Sequence, residues 1–158
     1  MNAYFMSYLQ ALPPRHRSVA SEAVETYLKG EGVGTEKLTS AWAIYEKVRY
    51  LAARAEEYSV VLLMNHSYGL IKTLEIGRGG LTETMFDIRV IFREALLANA
   101  TIIAIAHNHP SGKLSPSRQD DTVTENVKKA AELLHIKLCD HIIVGDGSYY
   151  SYMEEGRL

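Results

Sequence analysis

The stretch that most restricts the fold is Ala100-Thr-Ile-Ile-Ala-Ile-Ala106, a short apolar run rich in β-branched residues that leads directly into His107-Asn-His-Pro-Ser-Gly112. Its brevity, and its boundaries at Asn99 and at Pro110/Gly112, predict a buried strand rather than a helix. Side chains alternate along a strand, so His107 and His109 project to one side and Asn108 to the other. Pro110 cannot donate to a sheet ladder and ends the strand. Ser115-Pro116 then predicts a helix start, with Ser115 as N-cap and Pro116 at the first helical position. On that helix Ser117 and Asp120 are three apart and share a face. Two imidazoles at a strand end therefore meet a hydroxyl and a carboxylate at a helix start. Two nitrogens and one oxygen suit a metal ion with its fourth position left for water. On helix spacing alone Asp121, four residues from Ser117, competes with Asp120 for the ligand role.

The remaining elements follow from periodicity. Residues 18–29 predict a helix with an apolar stripe of Ala20, Ala23, Val24, Tyr27 and Leu28, and Gly30-Glu-Gly-Val-Gly34 reads as a linker. Residues 1–34 are read as a helical N-terminal arm, a candidate oligomer contact, and residues 35–158 as the main domain. A second helix, capped by Thr39 or Ser40, is expected to run to about residue 57 with Trp42, Tyr45, Val48, Leu51, Ala52 and Ala55 inward. Residues 59–64 form a continuous apolar run, a strand buried on both faces, and residues 70–76 return beside it as a hairpin partner. The glycines of Gly77-Arg-Gly-Gly80 allow a bulge or a close backbone approach. They lack the Lys-Ser/Thr and the strand-to-helix setting of a phosphate-binding loop. Asp87 caps a helix to about residue 99, with Ile88, Ile91, Phe92, Ala95 and Leu96 buried. After the histidine loop come a helix over 116–135, packed through Val123, Val127, Ala130, Ala131 and Leu134, a strand over 140–144 and a closing hairpin over 148–153. The order helix, two strands, helix, strand, helix, strands predicts an α/β fold, a mixed β-sheet covered by helices.

Composition sets bounds on function. A chain of 158 residues suffices for one domain with a sizeable core. A net charge of −2 gives no electrostatic case for bulk nucleic-acid binding. The single cysteine, Cys139, cannot form an internal disulfide and is read as a small buried residue. No apolar run approaches the ~20 residues of a membrane span, and no basic-then-apolar leader is visible, so a cytoplasmic location is expected.

His107-x-His109, seven residues, Ser117, two residues and Asp120 carry the spacing of the JAMM (MPN+/JAB) metalloprotease motif. The wording His107-Asn-His-Pro-Ser-Gly112, with Pro116-Ser117 and later Asp140-His-Ile-Ile-Val-Gly-Asp146, resembles the bacterial RadC-like branch from about residue 38 to the C-terminus. The resemblance implies the JAB/MPN fold, similar in arrangement to cytidine deaminase. It implies zinc (Zn2+) held by His107, His109 and Asp120, in preference to Asp121. It assigns the general base to an upstream glutamate on a strand. Glu75 is chosen, in Leu74-Glu-Ile-Gly-Arg-Gly79, with Glu83 and Glu94 as alternatives. Ser117 would stabilise the oxyanion, while Asn108, Ser111 and Gly112 shape the loop and hold the histidine tautomers. Asp140 and His141 are read as structural, with a carboxylate partner for a ligating imidazole as the lesser option.

The expected activity is zinc-dependent hydrolysis of an amide bond, peptide or isopeptide, in a peptide or protein substrate. A metal-stabilised binding module in DNA repair or DNA processing is the alternative. The family often carries a helix-hairpin-helix domain ahead of the metal domain, and residues 1–34 are too few for one. A nuclease reading of His-Asn-His fails, because a tight tripeptide does not supply the dispersed ligands of that class, nor does the chain show a basic, aromatic-interleaved surface.

Overall fold

The computed structural model describes residues 36–79 and 86–158, together with Ala11 and Pro13. Apart from those two residues, the expected arm over residues 1–34 lies outside the described residues, as does the candidate Glu83. Along the chain stand α1 (Ala41–Val48), a 3-10 segment (Arg49–Ala53), β1 (Tyr58–Met64), β2 (Leu70–Arg78), α2 (Ile88–Leu97), β3 (Ile102–Asn108), α3 (Arg118–Leu133), β4 (Lys137–Val144) and β5 (Tyr149–Ser151).

The five strands form one mixed sheet in the order β2-β1-β3-β4-β5. Strand β1 is antiparallel to both β2 and β3, β3 is parallel to β4, and β5 returns antiparallel on β4. A parallel pair needs a long crossover, and α3 supplies it. Strands β1 and β3 are buried along their whole length, as continuous apolar runs require when both faces are covered. On one face α1 and the 3-10 segment place Ala41, Ile44, Tyr45, Val48 and Leu51 over Val60, Leu62, Ala104, Ala106 and Ile142. On the other, α2 and α3 place Ile91, Phe92, Ala95, Val127 and Ala131 over Val61, Leu63, Ile103 and Ile105. This is an α/β sheet between helical layers, the JAB/MPN arrangement.

Several expectations are corrected. The helix expected to start at Thr39 or Ser40 does not run to residue 57: Arg54 is extended, because the chain there must turn into β1. Ala52 and Ala55 are exposed. Trp42 is 57% exposed, since Ala41, Ile44, Tyr45 and Val48 already fill the inward stripe of α1. Its ring rests against Tyr45 and Tyr149 at 5.4 and 6.2 Å. Leu96 and Leu134 are likewise exposed, at the outer ends of their helices. Asp87 does cap α2, its Oδ1 accepting from the Arg89 N–H at 2.9 Å. No described helix is long and apolar enough to cross a membrane.

Candidate metal centre

Strand β3 ends in the two histidines, and α3 begins where they face it. The N-cap of α3 is Ser117, not Ser115. Its Oγ accepts from the Asp120 N–H at 3.2 Å while Asp120 Oδ2 accepts from the Ser117 N–H at 2.7 Å. This reciprocal box satisfies two otherwise orphaned donors, which a cap at Ser115 would leave open. It also fixes the Asp120 carboxylate against the histidines. Asp120 Oδ1 lies 3.1 Å from His107 Nε2, Asp120 Oδ2 lies 3.6 Å from His109 Nε2, and the two Nε2 atoms are 3.0 Å apart. His107, His109 and Asp120 thus offer one ligand atom each, all within 4.8 Å of one another, close enough for one cation to reach all three. Asp121 is turned elsewhere: its Oδ1 accepts from Tyr152 and from Arg157, each at 2.8 Å.

The hydrogen bonds on the far side of each ring decide whether these atoms can bind a cation. His109 Nδ1 lies 2.6 Å from the Lys113 carbonyl, which can only accept, so Nδ1 carries the proton and Nε2 is a lone pair. His107 Nδ1 lies 2.9 Å from His141 Nε2. With the proton on His107 Nδ1, its Nε2 is a lone pair too. Two imidazole lone pairs and a carboxylate then converge with no proton of their own to share, which suits a divalent ion. The residues fit the group. Without an ion the same demand falls on protons: the hydrogen bond with Asp120 leads in raising the His109 pKa above its ordinary value, against the effect of burial. Burial opposes the Asp120 charge, yet His107 and His109 outweigh it and hold that carboxyl well below the usual range.

A cleft of about 370 Å³ opens beside these atoms, lined by His109, Asp120, Ser117, Lys113, Phe86 and Glu57 among others. Glu57 is the residue that reading the sequence missed. Ser59 pairs with His107 across β1 and β3, and continuing that antiparallel register by two residues sets Glu57 opposite His109, on the same face. Its charge is felt at His109. Gly79 permits this: its N–H donates to the Glu57 carbonyl at 2.7 Å, and a Cβ there would stand 3.3 Å from Glu57 Cβ.

Glu75 is corrected. It pairs with Val60, whose side chain belongs to the α1 face, so Glu75 is exposed on the opposite side of the sheet from the histidines. There it adds to the effect of burial in raising the Tyr50 pKa. Glu94 is committed to Lys72 and Arg93. The parity of residues 57, 59, 61 and 63 was readable from the sequence; the β1–β3 register that makes Glu57 face His109 was not.

Asn108 does not hold the histidine tautomers. Its buried amide faces the α1 side, where Oδ1 accepts from the Tyr58 N–H at 2.7 Å and Nδ2 donates to the Glu56 carbonyl at 2.9 Å. Asp140 is structural, its carboxylate accepting from Ser151 Oγ and from the main-chain N–H of His141 and Met153. Ser111 and Gly112 do shape the loop: Gly112 adopts φ +72 and donates to the His109 carbonyl.

Fold and site together define a JAB-type domain with a candidate His2Asp metal centre. The family model described as RadC-like JAB domain matches residues 38–157, and the chain belongs to that family. It is 42% identical over 125 residues to the UPF0758 protein of Porphyromonas gingivalis, covering 78% of this chain and 55% of that one. The UPF0758 protein of Streptococcus gordonii is 40% identical over 128 residues, 80% of this chain and 57% of its own. The chain thus spans little more than half the length of these relatives.

Proposed function

We propose that this domain is a zinc-dependent hydrolase of amide bonds, acting on a peptide or isopeptide link. The observation that carries the reading is the convergence of His107 Nε2, His109 Nε2 and the Asp120 carboxylate beside a cleft that His109, Asp120 and Glu57 line. Zinc at such a site acts as a Lewis acid and lowers the pKa of a bound water toward ~7. Glu57 is not a ligand in this scheme. Its carboxylate, across the strand pair from His109, accepts the proton that the attacking water gives up and returns it to the leaving amine. Ser117 Oγ already accepts the Asp120 N–H, so its own hydroxyl proton is left to donate to an oxyanion in the cleft.

The test pairs metal analysis with a chelator-sensitive cleavage screen on peptides and isopeptide-linked proteins. One zinc per chain with turnover abolished by chelation supports the reading. Stoichiometric zinc with no cleavage of any member supports the metal-stabilised binding module instead. Glu57→Gln should keep its zinc and lose about 10²–10⁴-fold in turnover, the usual contribution of a positioned base.

A further inference from the structure

Behind His107 lies a chain of three short polar contacts that the proposed hydrolysis does not use. His107 Nδ1 meets His141 Nε2 at 2.9 Å, His141 Nδ1 meets Thr124 Oγ1 at 2.6 Å, and Thr124 Oγ1 meets the main-chain carbonyl of Asp120 at 2.6 Å. His141 is fully buried and Thr124 nearly so. The Tyr152 ring stacks on His141 at 4.8 Å with an 8° tilt, and Phe86 stands edge-on to both imidazoles. No side chain in this stack is free to turn.

Each contact at these distances needs one proton between its two heavy atoms. The carbonyl at the end can only accept, so the Thr124 hydroxyl proton belongs to it. Thr124 Oγ1 must then accept, which puts the proton of His141 on Nδ1 and leaves its Nε2 bare. His141 Nε2 in turn must accept, which puts the proton of His107 on Nδ1. Three contacts are satisfied by three protons, and His107 Nε2 is left as a lone pair. Running the chain in reverse would set two oxygens 2.6 Å apart with nothing between them. It would also place an N–H where a metal ligand is required.

We infer that Thr124 and His141 are positioning residues that orient His107 as a metal ligand, with the Asp120 carbonyl as the fixed end of the relay. The circuit closes on itself, because the carboxylate of the same Asp120 faces His107 Nε2 at 3.1 Å. One residue of α3 thus supplies a ligand through its side chain and sets the orientation of a second ligand through its backbone. Hydrogen-bond partners behind a ligating imidazole usually change metal affinity by about 10- to 100-fold.

This inference rests on the metal-centre reading, and the test separates the two. Zinc affinity is measured by competition with a chromophoric chelator for the wild-type chain, Thr124→Val and Thr124→Ser. In parallel, 15N spectra of the metal-free chain at neutral pH assign the imidazole protons. Valine matches threonine in shape but can neither give nor accept a proton, whereas serine keeps the hydroxyl. Thr124→Val should weaken zinc binding at least tenfold, with Thr124→Ser restoring it to within about threefold of wild type. In the wild-type spectrum both His107 and His141 should be protonated at Nδ1, and in Thr124→Val both should shift to Nε2. A lost packing contact alone would lower thermal stability without moving the tautomer. Wild-type affinity in Thr124→Val, or a His107 bare at Nδ1 in the wild-type chain, overturns the relay. Should the wild-type chain bind no zinc, the metal-centre reading falls and the tautomer spectrum alone decides the relay.

Discussion

Replacing Asn108 should unfasten Glu57 from the end of β3, and the size of the effect follows from the contacts. Asn108 is 1% exposed and lies between the two histidines in sequence but on the opposite face. Its amide accepts from Tyr58 N–H at 2.7 Å and donates to the Glu56 carbonyl at 2.9 Å, with a longer contact of 3.4 Å to the Arg54 carbonyl. It therefore engages the residues on either side of Glu57 as a neighbouring strand would. In Asn108→Ala two good hydrogen bonds vanish, at about 1 kcal/mol net each, and the buried groups left behind add about 1–2 kcal/mol. The expected loss is about 3 kcal/mol, or roughly 6–12 °C in melting temperature for a domain of this size. Asn108→Asp keeps the acceptor for Tyr58 but turns a charged oxygen toward two carbonyls in a buried site, so it should be at least as damaging as alanine. Urea melts read the stability, and zinc content measured beside turnover reads the site. Zinc should stay bound while turnover falls. A loss below about 1 kcal/mol, or an aspartate variant more stable than the alanine one, would show that the Asn108 amide does not hold this segment.

Other consequences are shorter. Glu75→Gln should leave turnover and zinc content unchanged, because its side chain lies across the sheet from the cleft, whereas Glu57→Gln should not; steady-state rates of the two variants check this. Gly145→Ala should weaken zinc binding: its new Cβ would stand 2.6 Å from Leu114 Cδ2 and 3.0 Å from the Gly112 carbonyl oxygen, displacing the loop whose Lys113 carbonyl fixes His109. A zinc affinity equal to wild type would show that the loop absorbs the change. Burial, followed by the charge of Asp140, pushes the Cys139 thiol up from an ordinary 9.0 to about 12. The folded chain should therefore resist alkylation at pH 8.5–9, where an unfolded control reacts readily. A raised folded pKa means the unfolded state loses its proton first. The stabilising contribution is complete below about pH 9 and is lost as pH rises toward 12. Denaturant melts across that range check the sign.

How much of this was legible in the sequence depends on which interaction decides each feature. The β-branched run before His107 and the alternation of strand side chains put both imidazoles on one face without reference to any other element. The carboxylate on the next helix was legible for the same local reason, although the capping box moved the helix start from Ser115 to Ser117. Glu57 was not legible, because its place opposite His109 depends on how β1 registers against β3, a long-range pairing. Glu75 looked suitable as a strand-borne carboxylate. The register of β2, with its irregularity between Ser59 and Val60, turned it to the other face. Trp42 was misplaced because apolar periodicity counts apolar residues without measuring how many the sheet can cover. The relay from Thr124 to His107 joins two elements distant in sequence, and no local pattern announces it.

Hydrolysis as proposed requires His107, His109 and Asp120 to hold a divalent ion together, and X-ray absorption at the zinc edge, on chain stripped and reloaded with one equivalent of zinc, reads that shell. Two imidazole nitrogens with oxygen ligands at about 2.0–2.2 Å are expected, with loss of that shell in Asp120→Ala. An all-oxygen shell, a single imidazole, or a shell unchanged in Asp120→Ala would contradict it.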